Sequence, residues 1–126
     1  MVIIDTNIII DHLRQRDKKD TDYMILARDS KSELAISVIT LQELYSGSST
    51  KKEEAEKLLL ASIAPLKILP YTYEVSQFAG EIMRDSEKPI EFADAAIAAT
   101  TIVYGGQLLT LDKKDFSHIK DLRIRE

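Results

Sequence analysis

Asp5, Glu43, Asp94 and Asp112 lie far apart in the chain, yet each sits where an alternating α/β pattern would carry a carboxylate to one end of a sheet. Asp5 closes the apolar run Val2-Ile3-Ile4, which reads as a first strand, and Asp112 follows a second such run, Gln107-Leu108-Leu109-Thr110. Ligands of open α/β sheets collect at these carboxyl ends. Glu43 and Asp94 are expected early in their helices, where they can reach the same crevice. Oxygen donors of this kind suit Mg²⁺, with Mn²⁺ as a substitute, because Mg²⁺ takes one or two direct carboxylates and completes its shell with water and phosphate oxygens. The four acids can then divide between direct ligands, water positioning and a second ion, a pattern that points to phosphodiester chemistry.

Each acid also has a plain structural explanation. Glu43 alone reads as a solvated helix residue and Asp5 as a polar strand end, while Thr110-Leu111-Asp112-Lys113-Lys114-Asp115 has the composition of a turn. Asp94 carries more signal. It is the one acid within Phe92-Ala93-Asp94-Ala95-Ala96-Ile97-Ala98-Ala99, either a helix cap or a carboxylate opening from an apolar helix onto a polar site. Carboxylates held close together resist joint ionisation, and a cation removes that penalty. Loss of one ligand should therefore cost activity more than folding.

The elements that must position these acids follow from pattern and punctuation. Val2 to Asp5 is expected as strand one and Ile8 to Arg14 as a short helix, with Thr6 or Asn7 satisfying a free backbone N–H at its start. After a polar break at residues 17–22, Tyr23 to Asp29 reads as helix and Leu34 to Ile36 as strand. Ser37 and Thr40 are alternative caps for the helix that carries Glu43. Ser46-Gly47-Ser48-Ser49-Thr50 interrupts it, Lys51 to Ile63 resumes as helix, and the two are expected to pair as a hairpin. Leu66 to Leu69 is a third strand and Tyr73 to Asp85 an amphipathic helix. The alanine-rich segment ends at Gly105-Gly106, Gln107 to Thr110 is a fourth strand, and Leu122-Arg123-Ile124 is a candidate fifth. The alternation predicts a three-layer α/β/α sandwich around a mostly parallel sheet of four or five strands, as one domain over 1–126.

Composition narrows the class. The chain has 126 residues, 44% hydrophobic and 30% charged, enough for a core without a staple, and it contains no cysteine. Absence of a long apolar run and of a basic leader predicts a soluble cytoplasmic protein. A net charge of -4 gives no general attraction for a polyanion, so nucleic-acid binding would need a local basic rim and bound cations.

Taken in order, Val2-Ile3-Ile4-Asp5-Thr6-Asn7, Glu43, the alanine-rich motif around Asp94 and Leu109-Thr110-Leu111-Asp112-Lys113-Lys114-Asp115-Phe116 resemble the PIN-domain family, especially its VapC-type toxin ribonucleases. The resemblance runs nearly end to end. It implies a metal-dependent endoribonuclease with Asp5, Glu43 and Asp94 as acidic core and Asp112 as fourth acid, Asp115 being its rival or helper. Thr6, Asn7 and Thr110 then have supporting roles. It also implies a homodimer and a VapB-type antitoxin that wraps the enzyme, with tRNA or rRNA among candidate targets.

Arg14, Arg16, Lys18 and Lys19 would form a basic lip, and Lys113 and Lys114 would flank the last acidic motif as phosphate contacts. Tyr45, Tyr71 and Tyr73 are candidates for base stacking or for core closure. Leu41, Leu44, Tyr45, Leu58, Leu59 and Ile63 are candidates for an apolar groove along the paired helices. Two other readings compete: a non-catalytic RNA- or protein-binding module of the same fold, and a Mg²⁺-dependent aspartyl phosphoryl-transfer domain, for which no nucleophile signature is present.

Overall fold

Val2, Ile3 and Ile4 leave 1% or less of their surface exposed, although successive residues of a strand point to opposite faces. Both faces of this strand must therefore be covered, as in a parallel sheet sandwiched by helices. A computed structural model describes residues 1–126 and shows this arrangement. The strands are β1 (Val2–Ile4), β2 (Leu34–Ser37), β3 (Lys67–Leu69) and β4 (Gln107–Leu109), in spatial order β3-β2-β1-β4. All three pairings are parallel, with Val2 opposite Leu34 and Gln107, and Ala35 opposite Lys67.

Helices α1 (Thr6–Arg14), α2 (Asp22–Asp29), α3 (Val38–Ser46) and α4 (Glu53–Ile63) cover one face. Val2 and Ile4 point there, into a cluster with Ile8, Tyr23, Leu44 and Leu59. Helices α5 (Tyr73–Asp85), α6 (Phe92–Val103) and the short α7 (Lys113–Phe116) lie on the other. Ile3 points to that side, packing with Ile97, Ala98, Leu108 and Phe116. The alanines of α6 let α5 approach closely, and Val75 and Ala79 bury against Ala95 and Ala99. No helix is long and apolar enough to cross a membrane.

The expected boundaries shift where caps decide them. β1 ends at Ile4, because Asp5 leaves the strand to cap α1, which begins at Thr6 rather than Ile8. Ser37, not Thr40, caps α3 by accepting from the Ile39 amide at 3.0 Å. The helix thus starts earlier, and Glu43 lies in its second half instead of its first turn. A 3-10 turn, Ser48–Lys51, separates α3 from α4, and Tyr45 donates to Glu56 at 2.9 Å to tie the pair together. The candidate fifth strand reduces to one parallel bridge, Leu108 to Ile124. Leu108 accepts from the Arg125 amide and donates to Arg123 O, both at 2.8 Å, so the tail closes the β4 edge without extending the sheet.

Gly105 and Gly106 turn the chain from α6 into β4. Gly105 adopts φ +69°, which favours glycine, and a Cβ on Gly106 would stand 3.0 Å from the Met1 carbonyl. Gln107 donates to that same Met1 carbonyl at 3.1 Å, and the parallel β1–β4 pairing that follows brings Thr110 to Asp5.

Candidate active site

Asp5 emerges from β1 only 4% exposed, and each of its carboxylate oxygens has a donor. The Thr6 amide donates to Oδ1 at 2.8 Å and the Thr110 hydroxyl to Oδ2 at 2.7 Å. The Thr110 hydroxyl also accepts from the Asp112 amide at 3.0 Å, so β1 and the segment after β4 share one network. Asn7 completes it. Its side-chain N–H donates to Asp112 Oδ2 at 3.1 Å, and its Oδ1 accepts from the Leu111 amide at 3.2 Å. Asn7 is therefore a clamp on residues 111–112 rather than a helix cap.

Glu43 reaches the same place from α3. Its Oε1 accepts a 2.6 Å bond from the Thr6 hydroxyl, which lies 3.0 Å from the hydroxyl of Thr40. Asp94 enters from the first turn of α6. Glu91 holds the N-cap position there, and no side-chain bond caps the helix, so the Asp94 carboxylate is not spent as a cap.

The electrostatics tie the acids together. Burial pushes the Asp94 carboxyl up to about 6, helped by the charges of Asp5, Glu91, Glu43 and Asp115. A helix N-terminus ordinarily favours a carboxylate, so burial and like charge outweigh the dipole here. Asp5 is also raised, chiefly by burial and then by Glu43 and Asp112, with the bonds from Thr110 and Thr6 opposing. Asp112 thus acts on Asp5 and Asp115 on Asp94. The donor set is all oxygen, strongly anionic and partly desolvated, which fits a hard divalent cation. No three of its side chains close into a ready ligand cage.

The basic side chains are less concentrated on the site. Lys18 donates to the carbonyls of Leu13, at 3.0 Å, and Gln15, closing the end of α1. Lys113 pairs with Glu126 at 3.3 Å. Arg14 shares with Glu43 a cavity of about 410 Å³ between α1, α3, the 3-10 turn and α4, floored by Ile10, Leu13, Leu44 and Leu59. Lys114, Arg16 and Lys19 are exposed. Of the groove candidates, Leu44, Leu59 and Ile63 are buried core, while Tyr45 and Leu58 are exposed. Tyr73 is 84% exposed, and Tyr71 packs against Phe92 at 6.4 Å between ring centroids.

Sequence reasoning did not assign Thr40 or Glu91 to the site. Thr40 had a usable signal: it precedes Glu43 by one helical turn and so shares its face of α3.

The chain matches the family model described as PIN domain over residues 2–122. It is 33% identical to ribonuclease VapC10 of Mycobacterium tuberculosis, over 98% of this chain and 91% of that protein. It is 35% identical to ribonuclease VapC1 of Rickettsia felis, over 98% and 93%. Its fold also matches a chain of the crystal structure of VapBC2 from Rickettsia felis bound to a DNA fragment from their promoter. The TM-score there is 0.83 at 26% identity, covering 99% of this chain and 98% of the other.

Proposed function

Because the chain belongs to the PIN-domain family and, within it, to the VapC-type toxins, we propose that it is a Mg²⁺- or Mn²⁺-dependent endoribonuclease. The observation that supports this most is the bonded network that links Asp5, Glu43 and Asp112 through Thr6, Thr110 and Asn7, together with the Asp94 carboxyl pushed up to about 6 by burial and by the charges of Asp5, Glu91 and Glu43. Asp5 and Asp94 are the central metal-holding pair, Glu43 and Asp112 flank them, and Asp115 adds charge from α7. A divalent cation held there supplies positive charge for the developing oxyanion and acidity for an attacking water.

The chain's own groups prepare that chemistry. Thr110 and the Thr6 amide fix both oxygens of Asp5, so this acid cannot rotate to avoid its neighbours. Asn7 holds Asp112 and the 111–112 backbone, which keeps the fourth acid beside the first. Arg14 and Lys114 are the phosphate contacts in this reading, with Lys113 joining them when it leaves Glu126. Attack by water in line with the leaving 3′ oxygen gives a 5′-phosphate and a 3′-hydroxyl. Neither His12, buried on α1, nor exposed His118 lies in the acidic cluster to promote the internal 2′-hydroxyl route.

The partner in this reading is a VapB-type antitoxin. The cavity beside Glu43 suits an amphipathic segment whose apolar side chains enter between α1 and α4, with a basic group reaching the acids. A homodimer is the expected toxin assembly, and a structured cytoplasmic RNA such as tRNA or rRNA the expected target.

The test is gel-resolved cleavage of cellular RNA by wild type, Asp5→Asn and Asp94→Asn, with Mg²⁺, Mn²⁺ or EDTA. Discrete products bearing 5′-phosphates are expected from wild type alone, with turnover in either variant down by at least about 100-fold. Folded wild type that leaves varied RNAs intact in both metals overturns the proposal. EDTA-resistant products ending in cyclic phosphate would do the same to the mechanism.

A further inference from the structure

Thr40 is fully buried, with 0% of its surface exposed, and its hydroxyl bonds to no group of its own helix. This sets it apart from Thr100 and Thr101. Those equally buried hydroxyls turn back to carbonyls one turn earlier, Ala96 at 2.7 Å and Ile97 at 2.9 Å, the ordinary refuge of a helical threonine. Thr40 reaches instead to a different helix, meeting the Thr6 hydroxyl across 34 residues of sequence.

Proton counting fixes the direction of that bond. Thr6 has one hydroxyl proton and two oxygen neighbours, Glu43 Oε1 at 2.6 Å and Thr40 Oγ1 at 3.0 Å. The proton goes to the closer, charged acceptor, because a hydroxyl–carboxylate bond is shorter and stronger than one between neutral groups. Thr40 must then be the donor to Thr6. The result is a one-way chain in which Thr40 gives its proton to Thr6 and Thr6 gives its own to Glu43.

We infer that Thr40 is a positioning residue for Glu43, acting through Thr6 to hold that carboxylate turned toward the other acids. Glu43 is half-buried on a long side chain, and the repulsion that raises Asp94 also drives it outward. A single rotatable hydroxyl would be a weak restraint. Thr40 locks the rotor by occupying a lone pair on Thr6 from a site closed to water, so the Thr6 proton has one direction left. α1 and α3 are joined in the same act, because Thr6 opens α1 while Thr40 lies in the first turn of α3.

This inference rests on the reading of Glu43 as a site acid, and its test separates the two. Thr40→Val keeps the shape and removes the donor; Thr40→Ser keeps the donor and removes a methyl. Calorimetric Mn²⁺ titration of the metal-free proteins is paired with steady-state RNA cleavage. Thr40→Val is expected to lose roughly tenfold in Mn²⁺ affinity and in kcat with KM for RNA unchanged, and Thr40→Ser to stay within about twofold of wild type. Wild-type behaviour in Thr40→Val overturns the inference, and so does an equal loss in both variants, which would mark a packing role. Should Thr40→Val not fold, NMR of wild type decides. A Thr6 hydroxyl proton protected from exchange, with a cross-peak to the Thr40 hydroxyl, is expected; a freely exchanging one overturns the relay. Were wild type to cleave no RNA, the enzyme reading would fail while the Mn²⁺ and NMR results still judged the relay.

Discussion

Asp94 shows how a single residue can be costly to the fold and valuable to the site. Its carboxyl, ordinarily near 3.8, stands at about 6 in the folded chain. The folded state therefore holds this proton more tightly than the unfolded state, so the stability it contributes is complete below about pH 4 and is lost as pH rises through 6. Asp5 is raised and acts in the same direction. His12 opposes them: only 3% exposed and lowered by burial and by Lys18, it favours unfolding as pH falls below its ordinary value. The difference between wild type and Asp94→Asn isolates the carboxyl. Without metal at pH 7.5 the variant should be more stable by about 1–2 kcal/mol, after allowing for the water that reaches a half-buried group. That advantage should shrink toward pH 4.5, as read by thermal melts in EDTA across the pH range. A variant less stable than wild type at pH 7.5 would show that Asp94 is not under electrostatic strain.

At the scale of elements, caps explain both what the sequence disclosed and what it hid. Tyr73–Asp85 matches its expected bounds because Thr72 accepts from the Val75 amide at 3.2 Å and the apolar spacing is uninterrupted. The α3 start was ambiguous because Ser37 and Thr40 are both good caps, and local chemistry cannot tell which hydroxyl a distant Thr6 will claim. Asp5 ends and Asp94 interrupts a patterned element, which marks both in the sequence, whereas Asp112 lies in a segment that turn chemistry also explains and is marked only beside the other acids. Glu43 was legible mainly through the family resemblance, since a glutamate in a helix breaks no local rule. Lys18 and Lys113 looked like rim cations, and only tertiary structure reveals the carbonyls and the Glu126 carboxylate that hold them. The tail segment has strand composition, but a single bridge leaves it too short to be a strand. The cap assignment has its own test. Ser37→Ala should cost about 1 kcal/mol and lower Tm by roughly 3–6 °C. Because α3 carries Glu43, it should also weaken Mn²⁺ binding. An unchanged melt would mean that the Ile39 amide finds water instead.

For the whole molecule, the net charge is -4, and the proposed function makes a divalent cation at the acidic cluster a partner in stability. A ligand that binds only the folded state stabilises it in proportion to the logarithm of its excess over Kd, about 2.7 kcal/mol at a hundredfold excess. Raising Mg²⁺ should therefore raise Tm progressively in wild type and far less in Asp5→Asn, beyond the small shift from matched ionic strength. Equal shifts in both proteins would place the binding elsewhere. The Thr110–Asp5 bond that anchors the site has one further consequence, in time rather than space. Its partners are 105 residues apart, and β4 must pair with β1 before they meet. On a ribosome adding about 5–20 residues per second, the Asp5 end waits several seconds or more for the strand that completes its pocket. No nascent fragment lacking β4 can hold the four acids together, so the acidic pocket comes into being only once the chain has been made through Asp112.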